Sequence, residues 1–200
     1  MSKYLGPVLK KLRAVGLPLP RFRNKGNNPP GQHGAKRKRR KSSYGLQLQE
    51  KQKVIYSYGW RDKQLKNEYI KAKSESGDTG VNLLVGSESR LDNLIFKPGL
   101  VNTLGFARQL VSYKHFLVDG KKVNIPSYKI EPGQVISLKK EKMKENKLIK
   151  SNLEQNPKIP PYIAFDKQKL TITYLRYPIV EELSKNIDTS LVVEWYNRRV

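Results

Sequence analysis

His33 and His115 are the only two histidines in the 200-residue chain, and cysteine is absent. Metal sites and nucleophile–base pairs need several such groups converging at a set spacing, and nothing here suggests either. No Gly-x-Gly-x-x-Gly or Walker-type phosphate loop occurs. The best catalytic lead is Arg90-Leu91-Asp92-Asn93. Its plainer reading is a helix start, with Asp92 favoured in the first turn by the dipole and Arg90 as its neighbour. Catalysis is poorly provided for, so no cofactor, metal or small-molecule substrate is expected. Binding is the chemistry to look for.

The charge says what is bound. Lys and Arg number 40 against 17 Asp and Glu, a formal +23 with pI ≈ 10.1. Such an excess opposes compaction by self-repulsion, whereas each phosphate it neutralises releases counterions and adds affinity. The excess is also concentrated. Lys3, Lys10, Lys11, Arg13, Arg21, Arg23, Lys25 and the block Lys36-Arg37-Lys38-Arg39-Arg40-Lys41 all precede Glu50, the first acid. A nuclear localisation signal would account for the block alone, but the cations continue on both sides of it. An anionic membrane surface is the weaker competitor. No apolar run approaches the roughly 18–20 residues of a membrane span, and the start lacks the apolar core of a signal peptide. Without cysteine there are no disulfides and no zinc knuckle, which suits a reducing compartment.

The elements that must carry these residues fall into three stretches. Residues 1–44 read as an extended basic arm, because Gly16-Leu17-Pro18-Leu19-Pro20 and Asn27-Asn28-Pro29-Pro30-Gly31 break regular structure. The arm is expected to lack a core of its own. Residues 45–89 read as a small helical domain, completed by 176–200. It has one helix from Tyr44 through Ser57, a second over 63–73, and a further element starting at Val81. Residues 90–175 mix periods. Leu91, Leu94 and Ile95 begin a helix that Lys97-Pro98-Gly99 ends. Thr103 caps another helix with Ala107, Leu110 and Val111 on its inner face. Phe116-Leu117-Val118 then runs into the turn Asp119-Gly120, a hairpin signal. Val123 and Ile125 continue the returning strand, and 134–138, 162–165 and 169–175 complete the sheet. The stretch 139–152 is charged and helix-prone. Residues 191–196 fit a strand by their β-branched content and a docked helix by their spacing. The fold class is α+β, with helices packed on a mostly antiparallel sheet.

The binding surface is centred on the capped helix. Arg108, Gln109, Tyr113, Lys114 and His115 lie on or just after it, and Lys121 and Lys122 lie at the hairpin tip. Arg108 and Lys114 are expected to point outward toward phosphate. Cations grouped with aromatics suit RNA, where backbone contacts and stacking both serve. The arm cations, His33, Tyr44, Lys51 and Lys53 are further candidate contacts.

Arg90-Leu91-Asp92-Asn93, Ala107-Arg108-Gln109-Leu110-Val111, Val118-Asp119-Gly120 and Ile125-Pro126-Ser127-Tyr128 closely resemble the S-four RNA-binding domain. Pro30-Gly31-Gln32-His33-Gly34, Glu50-Lys51-Gln52-Lys53, Thr79-Gly80 and Leu191-Val192-Val193-Glu194-Trp195-Tyr196 resemble blocks of the small-subunit ribosomal protein four family, in that family's order. The resemblance covers essentially the whole chain. It implies a structural protein that binds the 5′ region of small-subunit ribosomal RNA at a helical junction and nucleates assembly. It further implies contact with ribosomal protein five and an influence on decoding accuracy.

Arg90-Leu91-Asp92 also resembles the catalytic segment of pseudouridine synthases, so an RNA-modifying enzyme with an S-four domain is the alternative. Such an enzyme needs a catalytic domain for which this chain has no room. Tyr4-Leu5-Gly6-Pro7, Leu17-Pro18 and 163–170 are more similar to cyanobacterial and plastid members. With the abundant Lys, Asn and Ile, this implies the chloroplast stroma, with bacterial cytoplasm as the alternative. Two departures stand out. Gly86-Ser87 are expected to weaken or shorten the helix before Arg90. Gly105 in the first turn after Thr103 is expected to cost roughly 1 kcal/mol against Ala.

Overall fold

The structure is a computed structural model that describes residues 6–17, 30–32, 34, 40–139, 147–154, 159–183 and 186–199. Packing divides the chain into two units. One runs from the N-terminus to Asn82 and is completed after Leu183, and the other is Leu83–Leu183. Composition and periodicity in the sequence place these limits at 89/90 and 175/176. The first limit falls earlier because Glu88 and Ser89 belong to a buried polar network of the second unit, described below.

In the first unit, α1 (Val8–Val15), α2 (Ser43–Tyr58), α3 (Asp62–Ser74), the start of α4 (Thr79–Glu88) and α8 (Thr189–Asn197) are helical. Helix α1 corrects the expectation of an arm without regular structure there. Its eight residues lie between Pro7 and Gly16, and Leu12 and Val15 recur on one side, the spacing of an amphipathic turn. Leu12, Val15 and Leu17 are buried with Tyr56 of α2 packed against them, and Gln49 Nε2 donates to the Val15 carbonyl at 2.9 Å. Ser42 caps α2, accepting from Gly45 N at 3.2 Å. The ambiguous C-terminal stretch is helix α8. Asp188 caps it by accepting from Ser190 N at 3.0 Å, and Val192, Trp195 and Tyr196 are buried at helical spacing. Glu50 accepts from Asp188 N at 3.0 Å, and Gln47 Nε2 donates to Glu194 at 2.7 Å, so α2 holds α8 at two points. Tyr69 of α3 stacks on Tyr196 with centroids 4.7 Å apart. Gly80 lets α4 approach α8 so closely that a Cβ there would stand 2.6 Å from Thr189 Cβ.

The second unit places α5 (Leu91–Phe96), α6 (Leu104–Ser112) and α7 (Lys147–Glu154) with a five-stranded sheet. The strands are β1 (Phe116–Val118), β2 (Lys121–Lys122), β3 (Val135–Leu138), β4 (Ile163–Asp166) and β5 (Thr171–Tyr174), in the order β2-β1-β3-β5-β4. Every pairing is antiparallel, with Leu117 opposite Lys122 and Ser137, and Ile136 opposite Ile172. The core is built from Leu91, Leu94, Ile95, Ala107, Val111, Phe116, Ile136, Ile149 and Ile172, all buried. Helix α4 runs unbroken through Gly86-Ser87, contrary to the expected early end, and Ser87 Oγ donates back to the Leu83 carbonyl at 2.8 Å.

Strand β2 stops at Lys122, so Val123 and Ile125 do not extend it as expected. Instead the next residues turn back to the start of α5. Leu91 N donates to Tyr128 O (2.9 Å) and Asp92 N to Pro126 O (3.1 Å), giving carbonyl partners to two helix-start donors that would otherwise be orphaned. Ile125-Pro126-Ser127-Tyr128 is thus the cap of the Arg-Leu-Asp helix.

Candidate RNA interface

The Arg-Leu-Asp segment is the centre of a closed ion-pair cluster. Arg90 grips Asp92 with two bonds, Nε to Oδ1 at 3.0 Å and Nη2 to Oδ2 at 2.8 Å. Arg108 Nε adds a third contact to Oδ2 at 2.6 Å. Asp92 is 1% exposed, so both its oxygens are held away from any reacting partner. Beside it, Glu88 accepts from Asn93 Nδ2 (2.5 Å), Tyr162 OH (3.0 Å) and Lys97 Nζ (3.1 Å). Burial, then the Glu88 charge, pushes the Tyr162 phenol far up. Burial pushes Tyr174 up to about 12, and its hydroxyl pairs with Ser89 Oγ at 3.0 Å. This is a neutral-phenol, paired-carboxylate interior of the kind that fixes a fold.

Arg108 therefore differs from the expectation of a cation aimed at phosphate. It is engaged with a buried carboxylate, because its place on α6 lies over Asp92 of α5. Lys51 and Lys53 are also engaged by acids. Lys51 is buried, paired with Asp62 and 5.1 Å over the Trp195 ring. Lys53 bonds Glu50 (2.6 Å) and the Asn186 carbonyl (2.9 Å).

The rest of the predicted patch on the second unit does face solvent. Thr103 caps α6 through Oγ1, 3.1 Å from Phe106 N, and Ala107, Leu110 and Val111 are buried. That leaves Gln109, Tyr113 and Lys114 exposed and His115 half-buried. Tyr113 is 64% exposed and meets His115 edge-on at 6.3 Å. Asp119 and Gly120 both take positive φ (47° and 76°), as a two-residue hairpin turn requires. The Asp119 carboxylate pins the turn by accepting from Val135 N at 2.8 Å and Gln134 Nε2 at 3.0 Å. Lys121 and Lys122 are exposed on β2. Lys139, which the sequence reading did not single out, is exposed, and its N–H donates to His115 O at 2.9 Å.

Comparison with known proteins bears on this arrangement. Residues 3–88 match the model of the ribosomal protein S4/S9 N-terminal domain, and 89–136 match that of the S4 domain. Small ribosomal subunit protein uS4 of Geobacillus stearothermophilus is 44% identical over 201 residues, covering 99% of this chain and 100% of its own. The uS4 proteins of Halalkalibacterium halodurans and Lactobacillus gasseri are 43% and 41% identical, with coverage of at least 99% on both sides. The chain belongs to the ribosomal protein uS4 family.

Within this uS4-family chain the first unit carries the remaining candidates. Lys10, Arg40, Lys41 and Tyr44 are exposed, while Lys11 and Arg13 are half-buried, Lys11 lying 5.1 Å over the Tyr56 ring. Lys41 donates to Gln49. Lys3, Arg21, Arg23, Lys25, His33, Lys36, Arg37, Lys38 and Arg39 lie outside the described residues. Arg199, not among the sequence candidates, holds Tyr44 in place: its guanidinium is 4.0 Å over the Trp195 ring and donates to Tyr44 OH at 3.1 Å. The pair Arg198-Arg199 next to Trp195-Tyr196 was the signal for it. Among the described residues no cluster of His, Asp and Glu could hold a metal, and no helix is long and apolar enough to cross a membrane.

Proposed function

We propose that this chain is a structural constituent of the small ribosomal subunit that binds its ribosomal RNA directly. The observation that carries this is the correspondence, from end to end of both chains, with proteins named small ribosomal subunit protein uS4. The composition agrees, since a +23 chain holds phosphate at each matched cation. The contacts we assign are the arm cations with Tyr44, and the face formed by Gln109, Tyr113, Lys114, His115, Lys121 and Lys122. Lys51, Lys53 and Arg108 are left out, because each is held by an acid of the same unit. The chain is not an enzyme. The pseudouridine-synthase-like alternative is disfavoured by Asp92 itself, whose carboxylate is enclosed by two guanidinium groups.

Finer features come from the resemblance in sequence. These are binding to the 5′ region of the RNA at a helical junction, nucleation of assembly, contact with ribosomal protein five and an effect on decoding accuracy. The named relatives are bacterial and favour a bacterial cytoplasm, while the Tyr4-Leu5-Gly6-Pro7 start and Lys/Asn/Ile usage support the chloroplast stroma.

Reconstitution tests the proposal. The protein mixed with transcribed small-subunit ribosomal RNA should cosediment with it and protect a defined set of 5′-region nucleotides from chemical probing. Sedimentation as free protein, with no protected nucleotides, would overturn it.

A further inference from the structure

Helix α6 ends in a manner that suits glycine. Lys114 N donates to Val111 O at 2.8 Å and His115 N to Leu110 O at 3.1 Å. This is the paired closure that needs a left-handed residue just past the cap. That residue is Lys114, at φ 59°. A Cβ crowds the backbone in this conformation, whereas glycine adopts it freely. Elsewhere the chain does use glycine, ending α1 with Gly16 at φ 76° and α2 with Gly59 at φ 58°. Among the described residues no side-chain contact offsets the strain at Lys114. Its side chain is exposed, and its ammonium has no hydrogen bond or ion pair among the described residues.

The surroundings say what a cation here would meet. Tyr113, 64% exposed, precedes it, and Lys139 is tied through its N–H to the carbonyl of His115 at 2.9 Å. Two lysines and an open aromatic ring thus arise from two backbone segments, 113–115 and the end of β3, that are hydrogen-bonded to each other. Phosphate with an adjoining unstacked base is the ligand chemistry that such a group answers.

We propose that Lys114 is a dedicated phosphate contact, kept at a position where glycine would fold better. This rests on the reading of the α6–hairpin face as RNA-binding. Strained residues that persist without a local structural reward collect at functional sites.

The test uses the full chain with three variants, Lys114→Gly, Lys114→Ala and the double Lys121→Ala/Lys122→Ala. Thermal melts are paired with filter binding to transcribed small-subunit ribosomal RNA over 50–200 mM salt. Lys114→Gly should raise the Tm by about 2–4 °C. It should also lower the magnitude of the log K against log[salt] slope by about one. Lys114→Ala, which keeps the Cβ, should lose the same slope with no gain in Tm. If Lys114→Gly binds like the parent while the double variant binds more weakly, the face stands and the assignment of Lys114 fails. If binding is unchanged in all three, the face itself is wrong. A Tm for Lys114→Gly at or below the parent's refutes the trade between folding and binding.

Discussion

Arg108 Nε lies 2.6 Å from Asp92 Oδ2, and Asp92 is almost wholly buried. This contact turns Arg108 toward a buried carboxylate, where its position and charge type suggested a side chain aimed outward. Replacing it by Ala should cost the second unit about 1–3 kcal/mol, since a buried carboxylate loses one of its donors. Leu110→Ala, which empties a buried site on the same helix, should cost about 2–5 kcal/mol. Urea unfolding of both variants checks this. Wild-type stability in Arg108→Ala would mean that Arg90 alone satisfies Asp92.

The buried phenols give the fold an alkaline limit. Tyr174 is pushed up to about 12, and Tyr162 is shifted upward further still. Their folded-state pKa values lie above the ordinary value near 10, so the unfolded chain gives up those protons first. The stability they contribute is complete below about pH 10 and is lost as pH rises toward 12. The loss is on the order of 1.4 kcal/mol per pH unit for each phenol. Tyr174→Phe should flatten the slope of stability against pH between 10 and 12. An unchanged slope would assign the alkaline loss to other groups.

Gly80 faces Thr189 at a distance that admits no side chain. Gly80→Ala brings a Cβ to 2.6 Å from Thr189 Cβ, and that atom belongs to no flexible chain end. The helices must part, at about 1–3 kcal/mol. Thermal melting should fall accordingly, and a neutral result would show that α4 and α8 can slide.

Tyr196 offers the opposite case. Its ring is buried against Tyr69 while its hydroxyl has no hydrogen-bond partner among the described residues. Burial, with the Asp62 charge, also raises its pKa. Tyr196→Phe removes a polar atom that gains nothing, so the variant should be as stable as the parent or up to about 1 kcal/mol more stable. A clear loss in a calorimetric melt would reveal a partner for that hydroxyl.

Binding should be governed by salt. If about six phosphates are neutralised, affinity for small-subunit ribosomal RNA falls roughly a thousandfold between 50 and 200 mM salt. Lys121→Ala and Lys122→Ala should each take about one from the slope. A flat titration would mean that the charge excess serves another purpose.

Sequence periodicity located α2, α3, α5 and α6 closely, because each has an apolar stripe and a readable start or stop. Thr103 and Gly59 acted as those signals, and Asp119-Gly120 marked the β1–β2 turn in the same way. Where two physical preferences competed, the sequence alone was insufficient. Val192 and Val193 favour a strand, and the contacts from Gln47 and Glu50 that make 189–197 a helix come from far along the chain. Helix α1 was hidden by the Pro and Gly on either side of it. The candidate surface was legible as charge type but not as charge availability. Arg108, Lys51 and Lys53 look like their neighbours in sequence, and only the fold shows that Asp92, Asp62 and Glu50 have taken them. Lys114 was visible as a cation, while its left-handed backbone was not.

The first unit is discontinuous, and this sets a schedule during synthesis. Its α2 and α3 emerge early, but α8, which supplies Trp195 and Tyr196, follows about a hundred residues later. At roughly 5–20 residues per second, that is a wait of some 5–20 s. Meanwhile the second unit, contiguous in the chain, can complete its sheet. A nascent chain of this protein therefore closes its later-made half first. Through that interval the sides of α2 and α3 that pack on α8 lack their permanent cover.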